Sequence, residues 1–138
     1  MNQLEIYIDG ASQGNPGHSG IGAVIYRGEE KIRELSDYIG IATNNVAEYT
    51  ALIYALEEAL LLKAAELKIN TDSQLLARQL NKIYKVKHPG IISLYRRATH
   101  LLTGFEKVSV NHIPREQNRL ADKLATQGIK DALGNSLI

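Results

Sequence analysis

Leu4-Glu-Ile-Tyr-Ile-Asp9 alternates apolar and polar residues and runs directly into Gly10-Ala-Ser-Gln-Gly-Asn-Pro-Gly17. A period of two is that of a strand, with Leu4, Ile6 and Ile8 on one face and Glu5, Tyr7 and Asp9 on the other. The Gly-, Ser-, Asn- and Pro-rich stretch from Gly10 to Ser19 is expected to be a loop. Gly20-Ile-Gly-Ala-Val-Ile-Tyr26 reads as a second strand, Arg27-Gly-Glu-Glu30 as a hairpin turn, and Lys31 to Ile39 as a third strand. These three form an antiparallel meander. Beyond them the pattern predicts a long helix capped by Asn44 or Asn45 and ending near Lys63, then a strand over Glu66 to Thr71. A short helix from Ser73 to Leu80, a helix from Pro89 to about Leu102, a strand from Lys107 to Ile113 and a closing helix from Gln117 to about Ile129 follow. The order βββαβααβα implies an α/β fold with a mixed sheet, because strands joined by helical crossovers are parallel. One domain is expected over residues 1–130, with 131–138 as a flexible tail.

The chain has 138 residues, 44% hydrophobic and 22% charged, the composition of a water-soluble globular domain. It has no cysteine, which excludes disulfides and thiolate-held zinc. With no signal-peptide pattern and no apolar run of membrane-spanning length, the expectation is a cytoplasmic protein without membrane association. A monomer is the default, and no protein partner is implied. The formal net charge is only +1, but the charges are segregated. From Ser73 to Phe105 there are six Lys/Arg and no acid, whereas Glu29 to Asp72 holds nine acids against four bases. A local cationic segment is either a solvated surface or a phosphate-binding one.

Four carboxylates are candidates for chemistry. Asp9 ends the first strand before Gly10, where an Asp also serves simply to start a turn. Glu48 is more telling. At about 100° per residue, Leu52, Ala55, Ala59 and Leu62 all fall within about 40° of it, and Glu57 lies opposite. Glu48 thus sits in the apolar stripe, where a carboxylate is costly unless something positive compensates it. A capping box with Asn45 is the competing explanation, and it accounts poorly for burial. Asp72 follows a strand expected to be parallel, at the carboxyl end where open α/β sheets place their sites, although it could equally be a helix cap. Asp122 lies early in the last helix, where the dipole favours any acid. Together, several carboxylates with no Cys and few His are hard oxygen ligands, suited to Mg2+ or Mn2+. Two such ions beside a phosphate define two-metal phosphodiester hydrolysis.

The segments Asp9-Gly-Ala-Ser-Gln-Gly-Asn-Pro-Gly17, Thr43-Asn-Asn-Val-Ala-Glu48, Thr71-Asp-Ser-Gln74 and Asn118-Arg-Leu-Ala-Asp122 resemble, in order, the four motif blocks of type 1 ribonucleases H. No block is specific alone; four in sequence are. The resemblance implies the ribonuclease H-like fold, with sheet order 3-2-1-4-5 and strand 2 antiparallel. It implies Asp9, Glu48, Asp72 and Asp122 as ligands of two Mg2+ or Mn2+ ions. The implied activity is cleavage of the RNA strand of RNA–DNA hybrids, leaving 5′-phosphate and 3′-hydroxyl ends. The alternative is a weak or inactive module of the same fold that binds hybrids. Asn15, Asn44 and Gln74 match positions that reach the hybrid's minor groove, and Gly10 and Asn45 belong to the same blocks. An A-form-like minor groove is wide and displays 2′-hydroxyls that DNA lacks, so such contacts select the strand without reading sequence.

Two departures from the family stand out. Members often carry a histidine in a flexible loop before the last carboxylate. Here His112 has the usual separation from Asp122, but the β-pattern places it at a strand end. Arg115, just after Pro114, is the better candidate for the mobile position. An arginine, always charged, cannot act as a base but can bind phosphate. Some members also have a tryptophan-rich basic protrusion that grips DNA. This chain has no tryptophan, and Lys82-Ile-Tyr-Lys-Val-Lys-His88, with Lys85 and Lys87, looks like a reduced version.

Overall fold

The computed structural model describes residues 2–134. Its strands are β1 (Gln3–Gly14), β2 (Gly17–Arg27), β3 (Glu30–Ala42), β4 (Glu66–Thr71) and β5 (Lys107–His112). Its helices are α1 (Asn44–Leu61), α2 (Gln74–Leu80), α3 (Pro89–Leu102) and α4 (Arg119–Leu133), with a 3-10 turn at Arg115–Gln117. The five strands form one sheet in the order β3-β2-β1-β4-β5. β1 pairs antiparallel with β2 and parallel with β4, and β4 pairs parallel with β5. The expected mixed sheet, its order and its antiparallel second strand are all present.

The sheet is covered on both sides. Leu4, Ile6 and Ile8 of β1 and Ile21, Ala23 and Ile25 of β2 share a core with α1, α2 and α3. The alternate residues of β2 face α4. A β-carbon on Gly22 would lie 2.6 Å from the Ala125 nitrogen and closer still to the Ala121 carbonyl oxygen. Gly20 meets the Ala125 carbonyl in the same way. Two side-chain-free positions, two apart in a strand, let the helix backbone sit directly on the sheet.

Three local expectations need correction. The stretch from Gly10 to Ser19 is not a loop: β1 and β2 continue as a paired ladder through Ser12–Ser19 and Gln13–His18 to Gly14–Gly17, leaving only Asn15-Pro16 as the turn. Ser12 and Ser19 hydroxyls both donate to the Ala42 carbonyl, fastening this extension to β3. The cap of α1 is Thr43, not Asn44 or Asn45; its Oγ1 accepts the Val46 N–H at 3.2 Å. The Asn44 N–H is instead taken by the Asn15 side-chain oxygen at 3.1 Å. Finally, α4 runs past residue 130 to Leu133. Gly128 and Ile129 are buried against β2 and β3, and the Gln127 amide donates to Asp131 one turn on, so nothing breaks the helix where the tail was expected. Residues 135–138 of the expected tail lie outside the described residues. Among the described residues, no helix is long and apolar enough to cross a membrane.

Candidate active site

β1 and β4 run in parallel as far as the pair Ile8–Thr71. Just beyond it lie Asp9, part-way along β1 where its pairing with β4 stops, and Asp72, at the carboxyl end of β4, the kind of place where an α/β sheet opens a crevice. α1 brings Glu48 to the same point. At Gly10 the strand passes so close to α1 that a β-carbon would lie 2.6 Å from the Ala47 carbonyl oxygen, and closer to Ala47 C and Glu48 N. This close approach is what sets Glu48 beside Asp9. With Thr43 as cap, Glu48 lies beyond the first turn of α1, so the capping-box explanation for it falls away.

One oxygen from each of Asp9, Glu48 and Asp72 can be chosen so that all three lie within 4.8 Å of one another. Asp9 and Glu48 are buried. Asp122 is a half-buried neighbour, close enough that its carboxyl helps to raise that of Asp9. Burial, then the neighbouring charges of Glu48 and Asp72, pushes the Asp9 carboxyl far above the ordinary carboxylate range. Glu48 is raised too, by burial first and then by Asp72, with the Gly10 backbone N–H opposing. Elsewhere on α1, Glu57 and Glu58 meet Arg97 and Arg33 at 2.7 and 3.1 Å. Glu48 has no such partner among the described residues, and its Oε2 is buried without a hydrogen bond. A buried carboxylate with an unpartnered oxygen, grouped with two more carboxylates, fits a hard divalent cation, which would compensate the desolvation that no side chain here does.

The cleft around these groups, of about 440 Å³, is lined by Asp9, Gly10, Ala11, Ser12, Asn44, Glu48, Asp72, Arg115 and Asp122. Arg115, in the 3-10 turn, is highly exposed and stands 3.9 Å from Asp122. His112 ends β5 beside Thr71, is exposed, and does not line the cleft. Of the other expected contacts, Gly10 and Asn44 line the cleft, while Asn15 sits at the hairpin tip bonded to α1. Asn45 and Gln74 are exposed at the first turns of α1 and α2. Lys85 and Lys87 lie apart, along a groove shared with Leu75, Ile83 and Tyr84. That segment is ordered by Arg78, which donates to the Tyr84 hydroxyl at 2.8 Å and lies over its ring.

Residues that sequence reasoning missed are structural partners of the site. Gly20 and Gly22 seat the helix that carries Asp122; two glycines on one strand face were the available signal. Asn118 was read only as part of a motif block. In the fold it is 1% exposed, and its side-chain amide donates to the Ile8 carbonyl at 2.8 Å.

A strand-end carboxylate cluster on this five-stranded sheet defines a class of fold and site that known proteins share. Residues 7–128 match the family model described as reverse transcriptase-like. A ribonuclease H of Chlorobium phaeobacteroides is 37% identical over 147 residues, covering 95% of this chain and 98% of that protein. The crystal structure of ribonuclease H1 from Halobacterium salinarum superposes with a TM-score of 0.91 at 42% identity, covering 94% of this chain and 98% of that one. LC11-RNase H1 in complex with an RNA/DNA hybrid gives 0.89 at 40% identity, covering 94% and 99%. The chain belongs to the ribonuclease H family. It spans 36% of the length of the mycobacterial relatives that it matches at 40% identity, one of them a bifunctional protein of Mycobacterium tuberculosis.

Proposed function

We propose that this domain is a metal-dependent endoribonuclease that hydrolyses the RNA strand of RNA–DNA hybrids, leaving 5′-phosphate and 3′-hydroxyl ends. The observation that carries this reading is the convergence of Asp9, Glu48 and Asp72 oxygens within 4.8 Å of one another, with the buried Glu48 Oε2 lacking any hydrogen bond. A surface that only bound nucleic acid would gain nothing from clustered negative charge beside phosphates, which disfavours an inactive binding module. The four carboxylates would hold two Mg2+ or Mn2+ ions. When bound, such ions activate water and neutralise charge on the leaving oxygen. The protein's own part is to hold the carboxylates in place and to present Asn15, Asn44, Asn45 and Gln74 to the minor groove. The Asn15 carbonyl oxygen is committed to Asn44, so it is the Asn15 amide hydrogens that remain to donate to sugar or base oxygens. Lys85 and Lys87 would meet backbone phosphates away from the cut. We further infer a monomer, acting in the cytoplasm.

The test is incubation with labelled RNA–DNA hybrid, with and without Mg2+ or Mn2+. Cleavage confined to the RNA strand and abolished by a chelator is expected. Tight hybrid binding with no cleavage in either metal would sink the nuclease reading in favour of the binding module.

Arg115 is proposed as the mobile cation at the cleft, seating phosphate beside Asp122 and helping product to leave. Arg115→Ala is expected to lower kcat about tenfold, and His112→Ala to change it by less than about threefold. A larger loss for His112→Ala would return the role to the histidine.

A further inference from the structure

Asn118 starts α4 but does not cap it. The usual role of an asparagine at this position is to accept a backbone N–H from the first helical turn with its side-chain oxygen. Here that bond is absent, and the Asn118 side chain points instead to β1. Its Nδ2 donates to the Ile8 carbonyl, at the last rung of the β1–β4 ladder, one residue before Asp9. Its Oδ1 is buried with no partner, a cost the arrangement carries for the sake of that one bond. The Asn118 backbone works in the other direction. Its carbonyl accepts the Asp122 N–H at 3.1 Å, and its N–H donates to the Arg115 carbonyl at 2.9 Å, closing the 3-10 turn. A single fully buried residue thus ties together the stretch of β1 bearing Asp9, the helical turn bearing Asp122 and the turn bearing Arg115.

The remainder of α4 is held on β2 by Gly20 and Gly22 and needs no such bond to stay docked. What the packing leaves free is the first turn, whose displacement would carry Asp122 away from Asp9 across the cleft that both line. We propose that Asn118 is a positioning residue: it sets the distance from Asp122 and Arg115 to Asp9 through its amide bond to the Ile8 carbonyl. This rests on the nuclease reading above for its kinetic consequence, but not for its structural one.

Asn118→Ser separates positioning from capping. Serine is as good a helix cap, so α4 should start as well as before, but its hydroxyl is too short to span the distance to Ile8. The expected result is a fall in kcat of about tenfold or more with KM for hybrid within about threefold, since a small misplacement at the site costs rate rather than binding. In an Asp122→Ala background, the same substitution should change kcat by less than about twofold, because residues acting through one another are not additive. Ile129→Ala, a core truncation at the far end of α4, serves as the stability control and should keep kcat. A readout independent of activity is NMR of the metal-free protein. The Asn118 side-chain amide protons should exchange slowly, and in Asn118→Ser the Asp122 and Arg115 amide resonances should shift more than those of Ala125 to Ile129. Wild-type kcat in Asn118→Ser, a full effect persisting in the Asp122→Ala background, or unshifted Asp122 and Arg115 resonances would each overturn the proposal. Failure of the wild-type protein to cut hybrid would remove the nuclease reading and leave the NMR result to decide the positioning.

Discussion

Asp9→Asn is expected to abolish cleavage and, in the same protein, to raise thermal stability in the absence of divalent cations. The loss of activity follows from removing the carboxylate at the centre of the cluster, the one that neighbours Glu48, Asp72 and Asp122 at once. We expect at least about 3 kcal/mol of transition-state stabilisation to go, which is over a hundredfold in rate. The gain in stability follows from the same geometry. Asp9 is buried beside other carboxyls with no cation to balance them, and an amide of the same shape needs no such balance. An increase of about 1–3 kcal/mol near pH 8 is expected, since repulsion and desolvation are both relieved.

The pH dependence distinguishes this from a packing effect. Below about pH 4, the ordinary carboxyl range, Asp9 is neutral in both folded and unfolded chains and no penalty exists. As pH rises, the unfolded chain ionises first, because burial and the neighbouring acids hold the folded carboxyl up. Stability of the metal-free protein therefore falls with rising pH until the folded carboxyl ionises too. Asp9→Asn should flatten that fall, and added Mg2+ or Mn2+ should reverse it in the wild type but much less in the variant, by binding only the folded state. Thermal melts at pH 5 and pH 8, with and without metal, provide the check. A variant that melts lower than wild type at pH 8 without metal, or one that still cuts hybrid at near wild-type rate, would show that Asp9 is not at the metal site.

The sheet and the place of Glu48 were legible in the chain because both are written in local periodicity. Leu4, Ile6 and Ile8 alternate, and the phase of α1 places Glu48 in its apolar stripe whatever the cap turns out to be. What was hidden depends on partners far away. The Gly10–Ser19 stretch has the composition of a loop, yet its backbone is held as strand by the ladder to β2 and by serine bonds to Ala42, none of which composition encodes. Thr43 is the cap in place of the neighbouring asparagines, and the Asn44 N–H is taken by Asn15, nearly thirty residues earlier. Asn118 is legible only as part of a motif block, yet it acts on Ile8, 110 positions away. α4 continues past the expected end near Ile129 to Leu133, and Gly128 within it is a contact point where the helix meets the Asp37 backbone.

Gly10→Ala is expected to damage both the fold and the rate. The sequence assigned Gly10 to substrate approach; its structural surroundings give it a second role, with consequences of a different kind. The added carbon would meet only backbone, Ala47 and Glu48 of α1, with no flexible side chain to yield. Either β1 around Gly10 or the first turns of α1 must move, and both carry a carboxylate of the cluster. Overpacking against rigid backbone is expected to cost about 2–4 kcal/mol, or a fall in melting temperature of roughly 10 °C. Separating Glu48 from Asp9 should lower kcat by at least about a hundredfold in whatever fraction remains folded. Gly28→Ala is the informative contrast. Gly28 has φ +61 in the β2–β3 turn with nothing within 4 Å of a β-carbon, so that change strains only the backbone, at about 1 kcal/mol, and leaves the rate alone. If Gly10 served substrate approach alone, Gly10→Ala would raise KM for the hybrid while melting like wild type. A joint loss of melting temperature and kcat, with Gly28→Ala showing only a small part of the first, is the outcome the close approach of strand and helix requires.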